Sequence, residues 1–427
     1  MSAKITIHNL GPINDCTMEL EHFTILAGKQ AAGKSTVAKA IYFCRTIKDD
    51  ICEEILKYNL LGNQLKLTTI VQRTLRNKFL QMFGTSKAMA SDMKLRYDYS
   101  DDTFVEITLK LRENEEYINP KYVYILFSNN IVDFIRSRSN IFSFERSDIQ
   151  AELNALFNDN YDAIFIPAGR SLITLLTSQL NYLFATMDDD QKRSIDFCTQ
   201  KYIEKILKIR PLFNDGLEGL AELKSNMMKL DQKALSIMLK QIDAVLKGRY
   251  VFANGEERLY LSNNYGNTDR FVKINYTSSG QQETVWLFNI LFHILVTRTK
   301  SYIILEEPEA HLYPDAQKVV SEMLALMSNQ SCELLITTHS PYILGAVNNL
   351  IYANAIINAN NRDSIKNLVN EKLFINEHNA YYVDNGMIQS CIEDTPERLI
   401  INEVIDGASS DINQLYDELF DIANTED

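Results

Sequence analysis

Four short apolar runs in this chain stop abruptly at residues able to do chemistry. They are Phe23 to Ala27, Asp162 to Ile166, Tyr302 to Leu305 and Leu334 to Ile336, and each has the length and composition of a strand buried on both faces. Elsewhere the spacing of apolar residues is helical: Thr36 to Phe43, Asp50 to Asn59, Leu67 to Phe83 and Thr284 to Val296. Ser171 to Lys247 is almost wholly helical in pattern, with breaks near Pro211 and Gly216. Met93 to Tyr99 and Thr103 to Leu111 read as paired strands turned at Asp101-Asp102, and Phe271 to Ile274 reads as a strand. Near the end, Ile412, Leu415, Tyr416, Leu419 and Phe420 keep helical spacing, which predicts an amphipathic helix over Asp411 to Ala423. Strands alternating with helices predict an α/β protein. No sustained heptads of a long coiled coil occur.

The first strand runs into Gly28-Lys29-Gln30-Ala31-Ala32-Gly33-Lys34-Ser35, which spells G-x-x-x-x-G-K-S and leads to a helix from Thr36. The glycines let backbone N–H groups fold around a polyphosphate, Lys34 reaches the β and γ phosphates, and the Ser35 hydroxyl can ligate Mg²⁺. The helix dipole points at the same anion. Residues Gly28 to Thr36 are therefore the expected binding set for ATP or GTP. Four fixed positions match by accident in roughly one to two per cent of chains this long, so the loop needs supporting elements, and three follow.

The Tyr302 to Leu305 run ends in Glu306-Glu307, then Pro308. Adjacent strand residues point to opposite sides, so Glu306 can hold the Mg²⁺ water shell while Glu307 polarises the water that attacks the γ-phosphate. An acidic loop after a core strand would look the same. The Leu334 to Ile336 run continues into Thr337-Thr338-His339-Ser340-Pro341, where a neutral His339 imidazole can donate to the γ-phosphate; a locally satisfied polar residue is the plainer alternative. Ser278-Ser279-Gly280-Gln281-Gln282 precedes an apolar helix. It can be a simple helix cap, or a second anion site made by the Ser279 hydroxyl, the Gly280 N–H and the helix N-terminus. One phosphate loop has no use for a second anion site. Two subunits packed head to tail do, each lending its turn to the other's nucleotide.

The order of phosphate loop, S-S-G-Q-Q, E-E-P-E-A-H-L-Y-P and T-T-H-S-P resembles ABC-type ATPases of the SMC, RecF and OLD group, and Lys4 to Ile13 looks like their first strand and turn. That resemblance implies an ABC-type P-loop core with a mixed sheet, plus an inserted α+β region and a helical lobe. It implies ATP and Mg²⁺ as cofactors, with Ser35 and Glu306 at the metal, Glu306 replacing the usual Walker B aspartate. It implies Glu307 as catalytic glutamate, Lys34 and His339 as its catalytic companions, and Ser278 to Gln282 as the signature motif. Two departures stand out. Ala31 occupies a common glycine position, and if that residue needs φ > 0 alanine costs about 1 kcal/mol there. The glutamine that usually follows the second core strand has no visible counterpart. The implied organisation is residues 1–45 and 251–358 for the two parts of the core, 46–160 for the insert, 161–250 for a core strand and helical lobe, and 359–427 for an acidic C-terminal region.

Composition narrows the partners. A formal net charge of −13 disfavours wholesale coating of nucleic acid. Lys66, Arg73, Arg76, Lys78, Lys87, Lys94 and Arg96, with Arg136, Arg138 and Arg146, nevertheless form basic stretches. These read as a solvated face or as a surface for phosphate or an acidic protein. The six cysteines show no metal spacing and read as reduced thiols. No signal peptide or run of about 20 apolar residues appears, so the expected location is the cytoplasm, with no membrane contact. Too few residues follow His339 for a nuclease domain, so any nuclease served is expected on another chain. The segment Ile164 to Ser171 and the acidic C-terminal helix look like those of antiphage-defence ATPases of the PARIS kind. That resemblance implies a homo-oligomeric sensor and scaffold that holds a nuclease effector and releases it on meeting a phage protein. A RecF-like DNA clamp and a degenerate nucleotide-binding module are the other readings; Glu307 and His339 speak against the last. The C-terminal helix is expected to close the chain's own core or to dock a partner.

Overall fold

A computed structural model of the chain describes residues 3–61, 65–111, 121–140, 145–175, 186–188, 195–261, 270–401 and 413–419. Its centre is an 11-stranded mixed sheet in the order β6-β5-β4-β1-β2-β14-β13-β3-β12-β11-β7. The parallel half comprises β7 (Asp162–Ile166), β11 (Ser301–Glu306), β12 (Cys332–Thr338), β3 (Phe23–Gly28) and β13 (His378–Asp384). The other half is antiparallel: β2 (Ile13–Leu20), β1 (Ala3–Leu10), β4 (Lys94–Asp98), β5 (Phe104–Leu111) and β6 (Lys121–Phe127). The short β14 (Met387–Ser390) joins the halves. The α/β class and mixed sheet expected from the sequence are present. The strands of the 46–160 stretch extend the main sheet from β1 outward.

The buried parallel strands explain their own sequence. Side chains alternate between faces, so both faces must be apolar where helices cover both. Ile303 and Leu305 pack into one cluster, and Tyr302 and Ile304 into the other. Phe23, Ile25, Leu334, Ile336, Ile164 and Ile166 face the first cluster, whereas Leu26, Leu335 and Phe165 face the second. The second face is covered by α1 (Lys34–Arg45), α2 (Ile47–Leu61), α3 (Leu67–Phe83), α4 (Asn129–Ser137) and α5 (Arg146–Leu156). The first is covered by α6 (Phe197–Ile209), α7 (Gly216–Ser225), α8 (Gln232–Leu246), α9 (Ser279–Thr297), α10 (Pro314–Ser328) and α11 (Pro341–Ile356). A small second sheet, β8 (Gly248–Ala253), β9 (Glu256–Leu261) and β10 (Phe271–Lys273), supports α9 through Tyr250, which stacks edge-on to Trp286.

Two local expectations change. The basic residues are only partly a free solvated face: Lys66, Arg73 and Lys87 are exposed, whereas Lys78 is buried against Asp50, Lys94 and Arg96 pair with Glu106, Arg138 with Glu152, and Arg146 with Glu53. Residues 413–419 are helical, but Leu415, Tyr416 and Leu419 are all exposed, so this described part closes no core. The rest of the helix expected over 411–423 and part of the helical stretch (176–185 and 189–194) lie outside the described residues. All six cysteines are buried and free.

A buried charge cluster pins the end of the sheet away from the phosphate loop. Arg45 at the end of α1 pairs with Asp159 at 3.3 Å and Glu333 at 3.0 Å, and Lys48 also reaches Asp159 at 3.3 Å. Removing the Asp159 charge leaves buried Lys48 with no paired acid among the described residues and Arg45 with Glu333 alone. Asp159→Asn is therefore expected to destabilise the fold by about 3 kcal/mol, read as a lowered midpoint in urea unfolding with no change in the slope.

Candidate functional site

Register brings the chemistry together. Glu306 lies beside Thr337, Thr338 beside Ala27, and Leu305 beside Ile166. The exits of β3, β12, β11 and β7 therefore share one edge, the place where parallel sheets take ligands. Strand β3 ends at Gly28 and α1 starts at Lys34. Gly28 has φ 146°, and a Cβ there would sit 2.2 Å from the Val383 carbonyl oxygen. Gly33 has φ 111°, and its Cβ would meet Ile13 Cδ1 at 2.4 Å. No other residue type fits either position. No side chain caps α1, so the first-turn N–H groups of Lys34 and Ser35 stay open to an anion.

Lys29, Gln30 and Ala31 form the exposed tip of the loop, and Ala32 and Thr36 are partly buried beside it. Ala31 has φ 60°, so the left-handed conformation of the common glycine is demanded here too, at about 1–2 kcal/mol for alanine. Lys34 is buried and folds back, donating to the carbonyls of Gly28 and Lys29 at 2.8 Å each. Its Nζ is 3.2 Å from His339 Nδ1. Burial pulls the Lys34 ammonium down to about 8, against the opposing pull of Glu307 and Glu309.

Glu306 is the last residue of β11 and is buried. Its Oε2 accepts from the Ala168 N–H at 3.3 Å, and burial raises its pKa against the opposing pull of the neighbouring Ser35 hydroxyl. Its Oε1 has no partner. Glu307 lies just past the strand with φ 44°. Its N–H donates to the Thr337 carbonyl at 2.9 Å, and its Oε1 is 3.2 Å from His339 Nε2. Lys34, His339 and Glu307 are thus linked in a row. Glu309 steadies the histidine, accepting from the His339 N–H at 2.7 Å and the Thr338 hydroxyl at 2.8 Å.

Ser278 caps α9 in a capping box with Gln281. Ser279 and Gly280 begin the helix, and Gly280 lies so close to the loop after Glu307 that a Cβ would sit 2.9 Å from the His311 carbonyl oxygen. Ser279 is exposed. Among the described residues its hydroxyl makes no hydrogen bond to the phosphate loop, Glu306, Glu307 or His339. The fold brings together Lys34, Ser35, Glu306, Glu307 and His339, and leaves Ser279 and Gly280 outside that group.

Two oxygens, the Ser35 hydroxyl and the unpaired Glu306 Oε1, suit a hard cation such as Mg²⁺. No cluster of three His, Cys, Asp or Glu able to hold a metal exists among the described residues. A cavity of about 510 Å³ adjoins the loop, lined by Leu10, Gly11, Ser35, Thr36, Met82 and Met89 among others.

Sequence reasoning gave no role to Arg170, Glu283 or Glu309. Arg170 interrupts an apolar stretch just past a strand exit, which is the available signal for a buried charge, whereas Glu283 follows a polar run at the start of α9 and carries no such signal. No glutamine stands at the exit of β7, where Pro167 to Arg170 are found.

The family model described as AAA ATPase domain matches residues 1–344. No curated protein matches the chain. Among solved structures, the SMC head bound to the C-winged helix domain of ScpA is similar at 12% identity and TM-score 0.40, covering 91% of this chain and 95% of that one. The SMC head domain from Thermotoga maritima is similar at 11% identity and TM-score 0.37, covering 92% and 100%. No described helix is long and apolar enough to cross a membrane.

The lowered Lys34 pKa has a consequence for anion binding. An anion in the loop favours charged Lys34, so its pKa rises on binding. Affinity is then full below pH 8 and falls as pH rises through about 8, by at most about tenfold per unit, with a proton taken up on binding. Titration with a fluorescent nucleotide from pH 7 to 10 reads this directly, and a flat affinity would contradict it.

Proposed function

We propose, for a chain that belongs to the AAA ATPase domain family, that this site hydrolyses ATP in the ABC-type manner, at an interface between two subunits. The observation that carries the reading is the row Lys34–His339–Glu307 beside the buried, half-satisfied Glu306. On nucleotide binding, Lys34 leaves the Gly28 and Lys29 carbonyls and turns to the β and γ phosphates. The open N–H groups of the loop and of α1 bind the phosphate oxygens. A Mg²⁺ ion held through Ser35 and Glu306 supplies charge neutralisation there. His339 turns its Nε2–H from Glu307 to the γ-phosphate, which frees that carboxylate. Glu307 orients water and takes its proton. The cavity lined by Leu10, Met82 and Met89 receives the nucleoside end.

The shared-site part rests on Ser279 and Gly280. They lie in the first turn of α9, which Ser278 caps at the Gln281 N–H, and they bond no group of their own subunit's phosphate loop, yet Gly280 packs on the loop that follows Glu307. Exposed tyrosines flank each motif: Tyr276 before the signature, Tyr313 after the acidic motif and Tyr342 after His339, at 76%, 76% and 56% exposure. Aromatic side chains of this kind favour a protein interface.

Glu307→Gln is expected to keep ATP binding and slow turnover by about 10²–10⁴-fold, measured as phosphate release beside nucleotide affinity. Equal loss of nucleotide in Glu306→Gln and Glu307→Gln would refute the division of roles. Lys34→Ala and Ser279→Arg proteins are each expected to be inactive alone. Mixed with subunit exchange, they regain part of the activity by forming one composite site. Full activity in a strict monomer, or no recovery on mixing, sinks the shared site.

In the cell, we assign the ATPase to antiphage defence, as sensor and scaffold holding a separate nuclease effector until a phage protein arrives. The support is the resemblance of Ile164 to Ser171 and of the acidic C-terminal helix to AriA, the ATPase subunit of the PARIS system. The exposed Leu415, Tyr416 and Leu419 offer a partner an apolar face. The alternative, a RecF-like DNA clamp, has less to stand on because the basic groups are largely spent in ion pairs. Steep salt dependence of DNA affinity would favour it. Co-purification of a nuclease with the chain favours the defence role.

A further inference from the structure

Arg170 sits where β7 gives way to the helical residues 170–175, and it is wholly buried. Four of its five guanidinium N–H groups donate to main-chain carbonyls. Nε donates to the Glu283 carbonyl at 3.1 Å, Nη1 to the Pro167 and Glu306 carbonyls at 2.9 and 2.7 Å, and Nη2 to the Glu307 carbonyl at 2.9 Å. Nη2 also meets Glu283 Oε1 at 3.2 Å. Glu283 is equally buried, and its carboxylate accepts the backbone N–H groups of Arg170 at 3.0 Å and Ser171 at 2.7 Å. The Thr174 hydroxyl donates to the Gln282 carbonyl at 2.8 Å.

Three pieces of the site meet in this one guanidinium. Glu283 belongs to the first turns of α9, one helical turn from Ser279 and Gly280. The Glu306 and Glu307 carbonyls are the backbone of the carboxylate pair. Pro167 and Ala168 form the exit of β7, and the Ala168 N–H touches the Glu306 carboxylate. Glu307 is the strained member, with φ 44° and its peptide groups held on one side by Thr337 and on the other by Arg170. Apolar residues fill a core at least as well as a buried ion pair does, so packing alone does not require a forked donor on these carbonyls.

We propose that Arg170, locked by Glu283, is a positioning residue that couples the Ser279–Gly280 turn of α9 to the backbone of Glu307. It sets the hydrolytic carboxylate when a neighbouring subunit's nucleotide engages that turn. This rests on the ATPase reading above and adds its regulation. Glu283→Gln removes the charge while keeping the shape. Arg170→Lys keeps the charge but cannot span several carbonyls from one ammonium.

Three quantities test it on the full chain: nucleotide affinity, ATP-driven assembly and steady-state turnover. Both variants are expected to bind the fluorescent nucleotide within about twofold of the parent and to assemble with ATP, while kcat falls by about tenfold or more. Asp159→Asn is the control, a buried ion-pair variant far from the site, expected to lower stability and leave kcat unchanged where it is folded. Wild-type kcat in Glu283→Gln and Arg170→Lys overturns the coupling, as does a parallel loss of affinity and assembly, or failure of both variants to fold. If instead Lys34→Ala and Glu307→Gln keep normal turnover, the ATPase reading itself has failed.

Discussion

The register of four parallel strands governs everything else in this molecule. β7, β11, β12 and β3 are held side by side by backbone hydrogen bonds, with Leu305 beside Ile166, Glu306 beside Thr337 and Thr338 beside Ala27. A slip of one residue would turn every side chain to the opposite face. It would exchange Ile303 and Leu305 with Tyr302 and Ile304 between two different clusters. The apolar packing on both faces therefore fixes the register, and the register fixes which polar residues leave the sheet together.

The site built on that edge keeps its charges in tension. Lys34 is buried, which lowers its pKa, and its ammonium is held by carbonyls of its own loop. Glu306 is buried with one oxygen unpaired and its pKa raised. Each is more comfortable once an anion and a cation are added. A polyphosphate with its hard metal ion is the ligand that relieves both at once. The same economy appears in Ala31 and Glu307, two non-glycine residues at positive φ, one in the phosphate loop and one at the carboxylate proposed to activate the attacking water. Strain of this kind persists where surrounding contacts over-determine the backbone, and for Glu307 the contacts are Thr337 and Arg170.

Long-range electrostatics separates the two ends of the sheet. At the phosphate-loop end, groups are left under-satisfied and exposed to a ligand. At the far end, Arg45, Lys48, Asp159 and Glu333 neutralise one another inside the fold. Lys78 of α3 and Lys94 and Arg96 of β4 are likewise paired with acids, while Arg73 of α3 stays exposed. Pairing of this sort is invisible in the sequence because the acids lie tens of residues away, as with Lys78 and Asp50.

The sequence by itself determined the elements that depend on local physics. Unbroken apolar runs announced the buried strands, helical spacing announced Leu67–Phe83 to the residue, and G-x-x-x-x-G-K-S announced the loop and its strand-to-helix setting. The suspicion that Ala31 needed a positive φ followed from its place in that loop. What only the tertiary structure decided are the meetings between distant segments. Arg170 and Glu283 stand 113 residues apart, as the hydrogen bond between them records, and nothing local to either says which charge it will answer. Likewise, β4, β5 and β6 extend the main sheet because β1 offers them a free edge, and residues 413–419 turn their apolar side chains outward. Local pattern sets what a segment is, through backbone sterics and the period of its apolar residues. Which segments meet is set by burial and charge pairing over the whole chain, and those become legible only once the chain has closed on itself.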